Sequence, residues 1–273
     1  SLELLRTRGP EAVADVLCGL SSGQPCVANA VSYRDLEVLA VGVLKAEARG
    51  ARLLYRTAAS FVRVRGGVAP RQLLVSGDLW RRCDPVLGET GGLVIVGSYV
   101  ARTSAQLEAA LARPGVIGIE ARVPNLLNVA ARNAEIERLV HAVEGALGAG
   151  HDTILYTSRE LAMTAGAEQS LAIGEQVSLA LVAVVNALRA APAWLIGKGG
   201  ITSSDLATRA LGLRRARVLG QAIPGIPIWL TGAESRWPGL VYVVFPGNVG
   251  GPMALNEMMG ILAESPWRTG LPT

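Results

Sequence analysis

Residues 194–211 read WLIGKGGITSSDLATRAL, and this stretch has the parts of a strand, a loop and a helix. Ala193 to Ile196 form a short apolar run that predicts a buried strand, and the glycines after it predict a loop. The amphipathic segment that follows, with Leu206 and Leu211, predicts a helix. Glycines let a backbone approach a ligand closely, and free N–H groups at a helix start favour an anion. The stretch is therefore typical of a phosphate-binding loop.

The residues within the loop leave a second interpretation open. Lys198 is one of two lysines in a chain with 24 arginines, and it would add a positive charge to the loop. Thr202 followed by Asp205, however, resembles a capping box, with which any helix satisfies its own first N–H groups. The loop also departs from the spacing of G-x-x-x-x-G-K-[ST] and of G-x-G-x-x-G. A nucleotide loop and a helix cap are both open from these residues alone.

The composition is that of a folded domain without a nucleic-acid or membrane partner. Half of the 273 residues are hydrophobic, which suffices for one large core or two small ones. The net charge is +4, but only Arg214, Arg215 and Arg217 cluster, and two Phe residues give no basic-aromatic surface for nucleic acid. The most apolar stretch, Val177 to Leu188, is shorter than the roughly 20 residues that span a membrane. It predicts a buried core helix.

Cysteine and histidine usage restricts the chemistry further. Cys18, Cys26 and Cys83 lack C-x-x-C spacing, so they are interpreted as buried thiols of a reducing, cytoplasmic compartment. His141 and His151 are the only histidines. A metal site or catalytic triad based on histidine is therefore nearly excluded.

The first part of the chain alternates between helix and strand patterns. The predicted order is a helix, a strand, a helix capped by Ser32, and a strand, at Pro10 to Leu20, Cys26 to Val31, Tyr33 to Arg49 and Arg52 to Tyr55. This order favours an α/β fold with a parallel sheet. The loop-rich connection from Ser76 to Gly92 predicts a link to a second domain.

The second part repeats the alternation and then becomes rich in strands. Strands are predicted at Leu93 to Val96, Val116 to Glu120, Thr153 to Tyr156, Arg217 to Ile223, Pro227 to Leu230 and Leu240 to Phe245. Helices are predicted at Ser104 to Ala112, Ala134 to Leu147, Ala172 to Ala190 and Ala254 to Leu262. Pro246 to Gly251 follow the last strand as a second glycine loop. The two glycine loops could face each other across a nucleotide.

Polar residues at two other strand ends are candidates for ligand contacts. Arg56, Ser60 and Arg63 could bind a carboxylate or phosphate past the strand at Arg52 to Tyr55, or they could form a solvated helix face. Ser98 follows the strand that ends at Val96, where its hydroxyl and N–H could meet a phosphate or form an ordinary turn.

With these residues laid out, the chain resembles the four-carbon acid sugar kinase family, which contains erythronate, threonate and 3-oxo-tetronate kinases. The resemblance spans nearly all 273 residues. It is carried by five ordered motifs: Val27 to Ala30 with Tyr33 to Leu36, Tyr55 to Arg63, Gly97 to Tyr99, Lys198 to Asp205, and Phe245 to Gly250.

The resemblance implies a sugar-acid domain at residues 1–90, of which the C-terminal part is present, and a nucleotide-binding domain at residues 91–273. It implies that ATP, with Mg²⁺, phosphorylates a terminal hydroxyl of a four-carbon sugar acid. Substrate contacts are expected from Arg56, Ser60 and Arg63. Nucleotide contacts are expected from Ser98, Lys198, Gly199, Gly200, Ile201, Thr202, Gly247, Asn248 and Gly250.

Two departures from the family qualify this expectation. The family's substrate domain begins with an Asp-rich motif upstream of the strand that holds Asn29, and its absence here predicts a truncated N-terminus. Family members often carry Asp where this chain has Gly251, which leaves Asp205 as the acid near the loops and a candidate metal ligand or base. A nucleotide-binding module without catalysis is the alternative, and a nicotinamide-dependent oxidoreductase ranks last. A homo-oligomer remains open.

Overall fold

A computed structural model describes residues 1–80, 90–97, 100–158 and 167–264, apart from the side chains of Asp78 and residues 167–171. Within it the chain forms two compact units, Ser1–Arg71 and Gln72–Thr273, which we call unit 1 and unit 2. Each unit is described by itself.

Unit 1 is helical. A π-helical turn at Leu4–Arg8 leads into α1 (Gly9–Cys18), and α2 (Tyr33–Ala48) and α3 (Ala59–Arg65) follow. Its core is small and is built around Ala40, Val43 and Phe61. The predicted cap of α2 is confirmed, because the Ser32 hydroxyl accepts from the Asp35 amide while the Asp35 carboxylate accepts from the Ser32 amide.

The two strands predicted in unit 1 are wrong. Residues 1–71 are all described and contain no strand; residues 24–30 and 51–58 have no regular secondary structure. Leu54 is fully exposed, and Val27 is 83% exposed. A strand needs a neighbour that accepts and donates its backbone hydrogen bonds, and unit 1 offers none to these segments.

The cysteine prediction is also corrected. Cys18 and Cys26 are free thiols but are exposed rather than buried. Cys18 ends α1, where its thiol donates to the Ala46 carbonyl of α2 at 3.9 Å, and Cys26 lies in the irregular segment between α1 and α2. Cys83 lies outside the described residues.

Unit 2 is built on one seven-stranded sheet, which confirms the α/β fold class. Its strands are β1 (Leu93–Val96), β2 (Ile117–Ala121), β3 (Thr153–Thr157), β4 (Trp194–Lys198), β5 (Ala216–Ile223), β6 (Ile226–Thr231) and β7 (Val241–Phe245). Their order across the sheet is β2-β3-β1-β4-β7-β6-β5. The strands from β2 to β7 in that order pair in parallel, while β6 and β5 add antiparallel, which is the predicted strand-rich far side.

Helices cover this sheet. They are α4 (Ser76–Trp80), α5 (Ala101–Leu111), α6 (Val123–Leu127), α7 (Arg132–Gly148), α8 (Ala167–Ala187), α9 (Gly200–Asp205, continued by a π-helical turn at Leu206–Ala210) and α10 (Ala254–Ala263). Two large apolar clusters share the sheet residues between them, with Leu93 and Leu195 in one and Val94 and Ile196 in the other. Successive residues of each central strand are therefore buried on opposite faces of the sheet, each in a different apolar cluster.

Helix α8 contains the predicted core segment, with Leu181, Val184 and Val185 buried. Among the described helices, none has the length and apolar character needed to cross a membrane. Ser76–Trp80, predicted as part of a loop-rich connection, instead forms a short helix because Leu79 and Trp80 bury themselves in the core of unit 2.

Candidate functional site

Three neighbouring parallel strands of unit 2 end at the same level. Val96 of β1 is in register with Lys198 of β4, and Lys198 is in register with Phe245 of β7. Strand β1 lies between β3 and β4, so the chain adds strands on one side of β1 and then crosses to the other. Ligands bind at such a switch point, outside the carboxyl ends of the strands. The two predicted glycine loops both begin at this edge.

The loop after β4 has a backbone that only glycine adopts readily. Gly199 has φ +112° and ψ +146°, and its N–H donates to the Phe245 carbonyl at 2.8 Å. The Ser203 hydroxyl donates back to the Gly199 carbonyl at 2.7 Å, and the Tyr242 hydroxyl donates to the Ser203 carbonyl at 2.6 Å. The start of α9 is thus tied to both β4 and β7.

Open space lies in front of the next residue. Gly200 is exposed, and no atom of the described residues lies within 4 Å of the position that a Cβ would take there. Ile201 is 67% exposed beside it. Thr202 is buried, and its Oγ1 would lie 2.6 Å from a Cβ at Gly97, so the loop after β1 and the start of α9 are in close contact.

The capping-box interpretation of this loop is wrong. Helix α9 begins at Gly200, with Gly199 as its cap and no side-chain capping bond, so Thr202 lies inside the helix. Asp205 is the last residue of α9, not part of its start. Its carboxylate accepts from the Ser178 hydroxyl at 2.6 Å and pairs with Arg209 at 3.3 Å. The helix begins earlier than the sequence suggests because Gly199 makes the turn without a side-chain cap.

Lys198 is a buried cation that has no carboxylate partner among the described residues. Its side chain is fully buried, and Nζ donates to the Pro246 carbonyl at 2.9 Å and lies 4.5 Å from the centre of the Phe245 ring. No described carboxylate forms an ion pair with it. Burial, aided by repulsion from Arg102, lowers the pKa of Lys198 to about 8. The ammonium keeps two further N–H groups that a negative ligand would satisfy.

The loop after β7 is held by donors from its neighbours. Arg102, Thr103 and Gln106 of α5 all donate to its carbonyls. The six consecutive carbonyls from Pro246 to Gly251 accept as follows: Pro246 from Lys198 (2.9 Å), Gly247 from Thr103 (3.5 Å), Asn248 from Arg102 (2.7 Å), and Val249, Gly250 and Gly251 from Gln106 (3.0, 3.3 and 2.9 Å). Helix α5 follows the loop after β1 in the chain, and its side chains donate to the loop after β7. It therefore connects these two loops of the site.

Sequence reasoning missed these three donors on α5. A signal was present, because Thr103 and Gln106 are polar, lie one turn apart and are fully buried on the face that an amphipathic helix reserves for apolar residues. A buried polar pair on such a face needs hydrogen-bond partners. The partners come from the loop about 145 residues later, which no local pattern reveals.

The predicted substrate residues lie in unit 1. The guanidinium of Arg63 stacks 4.1 Å from the centre of the Tyr33 ring, and its Nε donates to the Val68 carbonyl at 3.3 Å. Arg56 is exposed in the irregular segment before α3, and Ser60 is half-buried near the start of α3. The structure shows no contact among these three residues, and their role stays a prediction. Ser98 lies outside the described residues.

No group of three or more His, Cys, Asp or Glu residues in the described ranges could hold a metal ion. Of the nine predicted nucleotide contacts, eight are described. Lys198 ends β4, Gly199 and the first residues of α9 (Gly200, Ile201 and Thr202) follow it, and Gly247, Asn248 and Gly250 lie in the loop after β7, which pairs with β4. This edge of the sheet therefore combines exposed glycine backbone with buried positive charge. That combination suits phosphate groups.

Comparison with known proteins supports the same conclusion. Residues 93–255 match the sequence profile of a family described as the nucleotide-binding C-terminal domain. The match includes β1, β4, β7 and all three loops of the site. No curated protein matches the sequence.

Two solved structures share the fold. One is a protein from Salmonella typhimurium LT2 that carries the provisional name of a tRNA synthase; it is 17% identical, with a TM-score of 0.57 over 94% of this chain and 57% of its own. The other is a domain of unknown function (DUF1537) from Bordetella bronchiseptica, crystallised with citrate as a domain-swapped dimer. It is 18% identical, with a TM-score of 0.52 over 95% of this chain and 58% of its own. This chain therefore spans less than two thirds of either protein.

Proposed function

The chain belongs to the family of nucleotide-binding C-terminal domains, and on this premise we propose that it is the nucleotide-binding part of an ATP-dependent kinase for a four-carbon sugar acid. One observation carries the proposal. The loops after β4 and β7 meet at the carboxyl edge of the parallel sheet, beside the buried Lys198 that has no carboxylate partner among the described residues. Phosphate is the ligand class that satisfies both features.

The loops would position the phosphates of ATP. Gly200, Ile201 and Thr202 would supply backbone N–H groups and a hydroxyl from one side, and Gly247, Asn248 and Gly250 from the other, with Ser98 completing the site. Gly199, whose own N–H donates to the Phe245 carbonyl, would shape the turn that presents them. Lys198 would contribute charge. Phosphoryl transfer depends mainly on such positioning and charge stabilisation, because the protein forms no covalent bond to the phosphate.

Magnesium would be held largely by the nucleotide. The described residues contain no acidic cluster, and Mg²⁺ commonly binds through one or two carboxylates, water and substrate phosphates. In this arrangement the ion neutralises charge on the phosphates. We propose no further metal ligand from this chain.

The sugar acid would bind through Arg56, Ser60 and Arg63 of a substrate domain at residues 1–90. A guanidinium binds a carboxylate with two parallel hydrogen bonds. The citrate bound to the DUF1537 protein of Bordetella bronchiseptica supports a preference for carboxylic acids. Which four-carbon acid is used, of the erythronate, threonate or 3-oxo-tetronate type, depends on residues of the whole enzyme.

A nucleotide-binding module without catalysis is the second candidate. It is favoured by Asp205, the acid that the sequence placed near the loops, because Ser178 and Arg209 already engage its carboxylate. An engaged carboxylate is a poor base for a substrate hydroxyl. In this case the chain would bind nucleotide without taking part in phosphate transfer.

Titration calorimetry tests the nucleotide site first. ADP and AMPPNP are titrated into the protein, each with and without Mg²⁺, and then into Gly200→Trp, whose indole would fill the open space in front of the loop. Gly145→Trp is the matched control, since Gly145 is an exposed glycine of α7 that also has no atom near its Cβ position. We expect the wild type and Gly145→Trp to bind and Gly200→Trp to lose binding.

Absence of binding in every condition, from folded protein, would contradict both candidate functions. If binding is found, phosphate transfer from ATP to a panel of four-carbon acids separates the kinase from the module. The full-length protein is used for this assay.

Two further properties are proposed with this function. Self-association is supported by the domain-swapped dimer of the DUF1537 protein, and light scattering at several protein concentrations tests it. A cytoplasmic location fits the use of ATP and the exposed free thiols of Cys18 and Cys26.

A further inference from the structure

The loop after β7 has an unequal distribution of hydrogen bonds. Its six carbonyls from Pro246 to Gly251 all accept from side chains of β4 or α5. No hydrogen bond joins its amide N–H groups, from Gly247 to Gly251, to a backbone carbonyl of the described residues, although Pro246 to Val249 form a turn. The protein therefore satisfies the carbonyls of this loop and leaves its amides to solvent or to a ligand.

The backbone conformation agrees with this division. Gly250 has φ +83°, a left-handed conformation, and a Cβ there would lie 2.5 Å from the Ala254 Cβ. A left-handed residue beside right-handed ones turns successive N–H groups toward one side and makes an anion-binding concavity. Gly247, by contrast, has no atom of the described residues within 4 Å of its Cβ position, so among these residues the space beside it is open.

Gln106 is the side chain that holds most of this conformation. It is fully buried, and its Nε2 lies within 3.3 Å of three successive carbonyl oxygens, those of Val249, Gly250 and Gly251. The opposite orientation of the amide would place Oε1 against the same three oxygens, so the nitrogen must face the loop. Gln106 Oε1 is itself buried without a donor in the described residues, which is costly for a polar atom.

We propose that Gln106 is a positioning residue that orients the amides of Gly247 to Gly251 toward the phosphates of a polyphosphate ligand. This inference rests on the proposed nucleotide site and goes beyond it, because it assigns the binding to backbone amides and their orientation to one buried side chain. The cost of burying Gln106 Oε1 is offset when the ordered loop binds its anion. Without Gln106 the three carbonyls would rotate, and the amides would rotate with them.

The test uses ADP and inorganic tripolyphosphate, the latter because it carries the phosphates without the base. Gln106→Met removes the donor and keeps the length of the side chain, and Gln106→Lys restores a donor that can reach three carbonyls. Gln176→Met is the control, because Gln176 is an exposed glutamine of α8 whose Oε1 accepts from Arg132. We expect Gln106→Met to weaken both ligands about tenfold or more. Gln106→Lys recovers most of the loss, and Gln176→Met changes neither affinity.

A spectroscopic measurement gives direct access to the amides. In protein labelled with ¹⁵N-glycine, tripolyphosphate should shift the Gly247, Gly250 and Gly251 resonances of the wild type and leave them in place in Gln106→Met. The Gly247 signal is assigned by its loss in Gly247→Ala, a substitution that meets no neighbouring atom.

Three outcomes would overturn the proposal. Wild-type protein that binds tripolyphosphate without a shift of these glycines would exclude the amides, and a folded Gln106→Met that binds like wild type would exclude the role of Gln106. Should Gln106→Met not fold, equal tripolyphosphate affinity of wild type and Gln106→Glu, which turns an oxygen toward the three carbonyls, would exclude it as well. Wild-type protein that binds neither ADP nor tripolyphosphate contradicts the proposed function itself, which is why the wild type is measured first.

Discussion

Similar sequence segments adopt different structures in unit 1 and unit 2. Arg52 to Tyr55 and Ala193 to Ile196 are both short, mainly apolar segments after a helix, and both are predicted as strands. In unit 2 the second run becomes β4, where Leu195 is fully buried; in unit 1 the first remains unpaired, and Leu54 is fully exposed. The difference teaches that an apolar run becomes a strand only where neighbouring strands satisfy its backbone.

The largest expected effect compares the two leucines directly. Leu195 lies in β4, which is between β1 and β7 in the sheet. Leu195→Ala removes buried side-chain atoms and should lower the free energy of unfolding by about 2–5 kcal/mol. Leu54→Ala removes exposed atoms and should change it by less than about 0.5 kcal/mol. Urea unfolding followed by far-UV circular dichroism measures both variants. A large loss in Leu54→Ala would mean that this segment is covered and paired after all.

The two lysines of the chain offer a second contrast. Lys45 of unit 1 is half-exposed and paired with Glu11, whereas Lys198 of unit 2 is buried without a carboxylate partner in the described residues. We expect Lys198→Met to weaken ADP binding about tenfold, which is about 1.4 kcal/mol, because a charged donor near the phosphates is lost. Lys45→Met is the control and should bind as wild type. Equal affinities would remove Lys198 from the site.

The pH dependence gives an independent check on Lys198. Its pKa of about 8 lies below the ordinary value of about 10.4, so the free protein loses this charge between pH 7 and 9. ADP affinity of the wild type should fall over that range, and the affinity of Lys198→Met should not follow it. The free energy of unfolding should change in the opposite direction. The unfolded chain binds the Lys198 proton more tightly than the folded protein does, so the contribution of Lys198 to stability rises as the pH is raised from about 8 to about 10. Calorimetry at several pH values measures the first effect.

The smallest expected effect compares the starts of two helices. Helix α2 has a side-chain cap from Ser32, whereas α9 begins at Gly199 without one. Ser32→Ala should lower the stability of unit 1 by about 1 kcal/mol. Ser204→Ala, at an exposed position within α9, should have an effect below about 0.5 kcal/mol. Urea unfolding followed by far-UV circular dichroism measures both variants. The transition reported by tryptophan fluorescence should have the same midpoint in Ser32→Ala as in the wild type, since all five tryptophans follow residue 71.

Much of unit 2 could be predicted from the sequence. The predicted and observed bounds of β1 are identical, and those of β3 and β7 differ by one residue, because these strands are buried on both faces and appear as uninterrupted apolar runs. The glycine loops after β4 and β7 were also found, since glycine after such a run marks a turn. Their adjacency follows from the order of parallel strands.

The rest depended on information that is not local. The two strands predicted in unit 1 do not form, because a strand needs a neighbouring strand to pair with. The residues of a segment do not reveal whether such a strand is present. Asp205 is only a few residues from the Gly199 loop in the sequence, which predicts that its carboxylate lies near the ligand. The direction of its side chain, however, depends on its hydrogen bond with Ser178 of another helix. Gln106 was missed because its partners lie on the far side of the sequence.

The order of strands also has a consequence for how the protein is made. The β5–β6 and β6–β7 pairs join segments close in sequence, whereas β1 and β4 pair Leu93 with Leu195 across roughly a hundred residues, and distant contacts form slowly. The β4–β7 pairing connects the parallel strands, whose contacts are distant in sequence, with the antiparallel strands β5 and β6, whose contacts are close in sequence. Both glycine loops lie at the ends of this strand pair. On the ribosome, these loops cannot meet until β7 has left the exit tunnel. Nucleotide binding would therefore begin only once β7 has emerged and paired with β4, and a chain arrested before Val241 would carry the Gly199 loop without its counterpart.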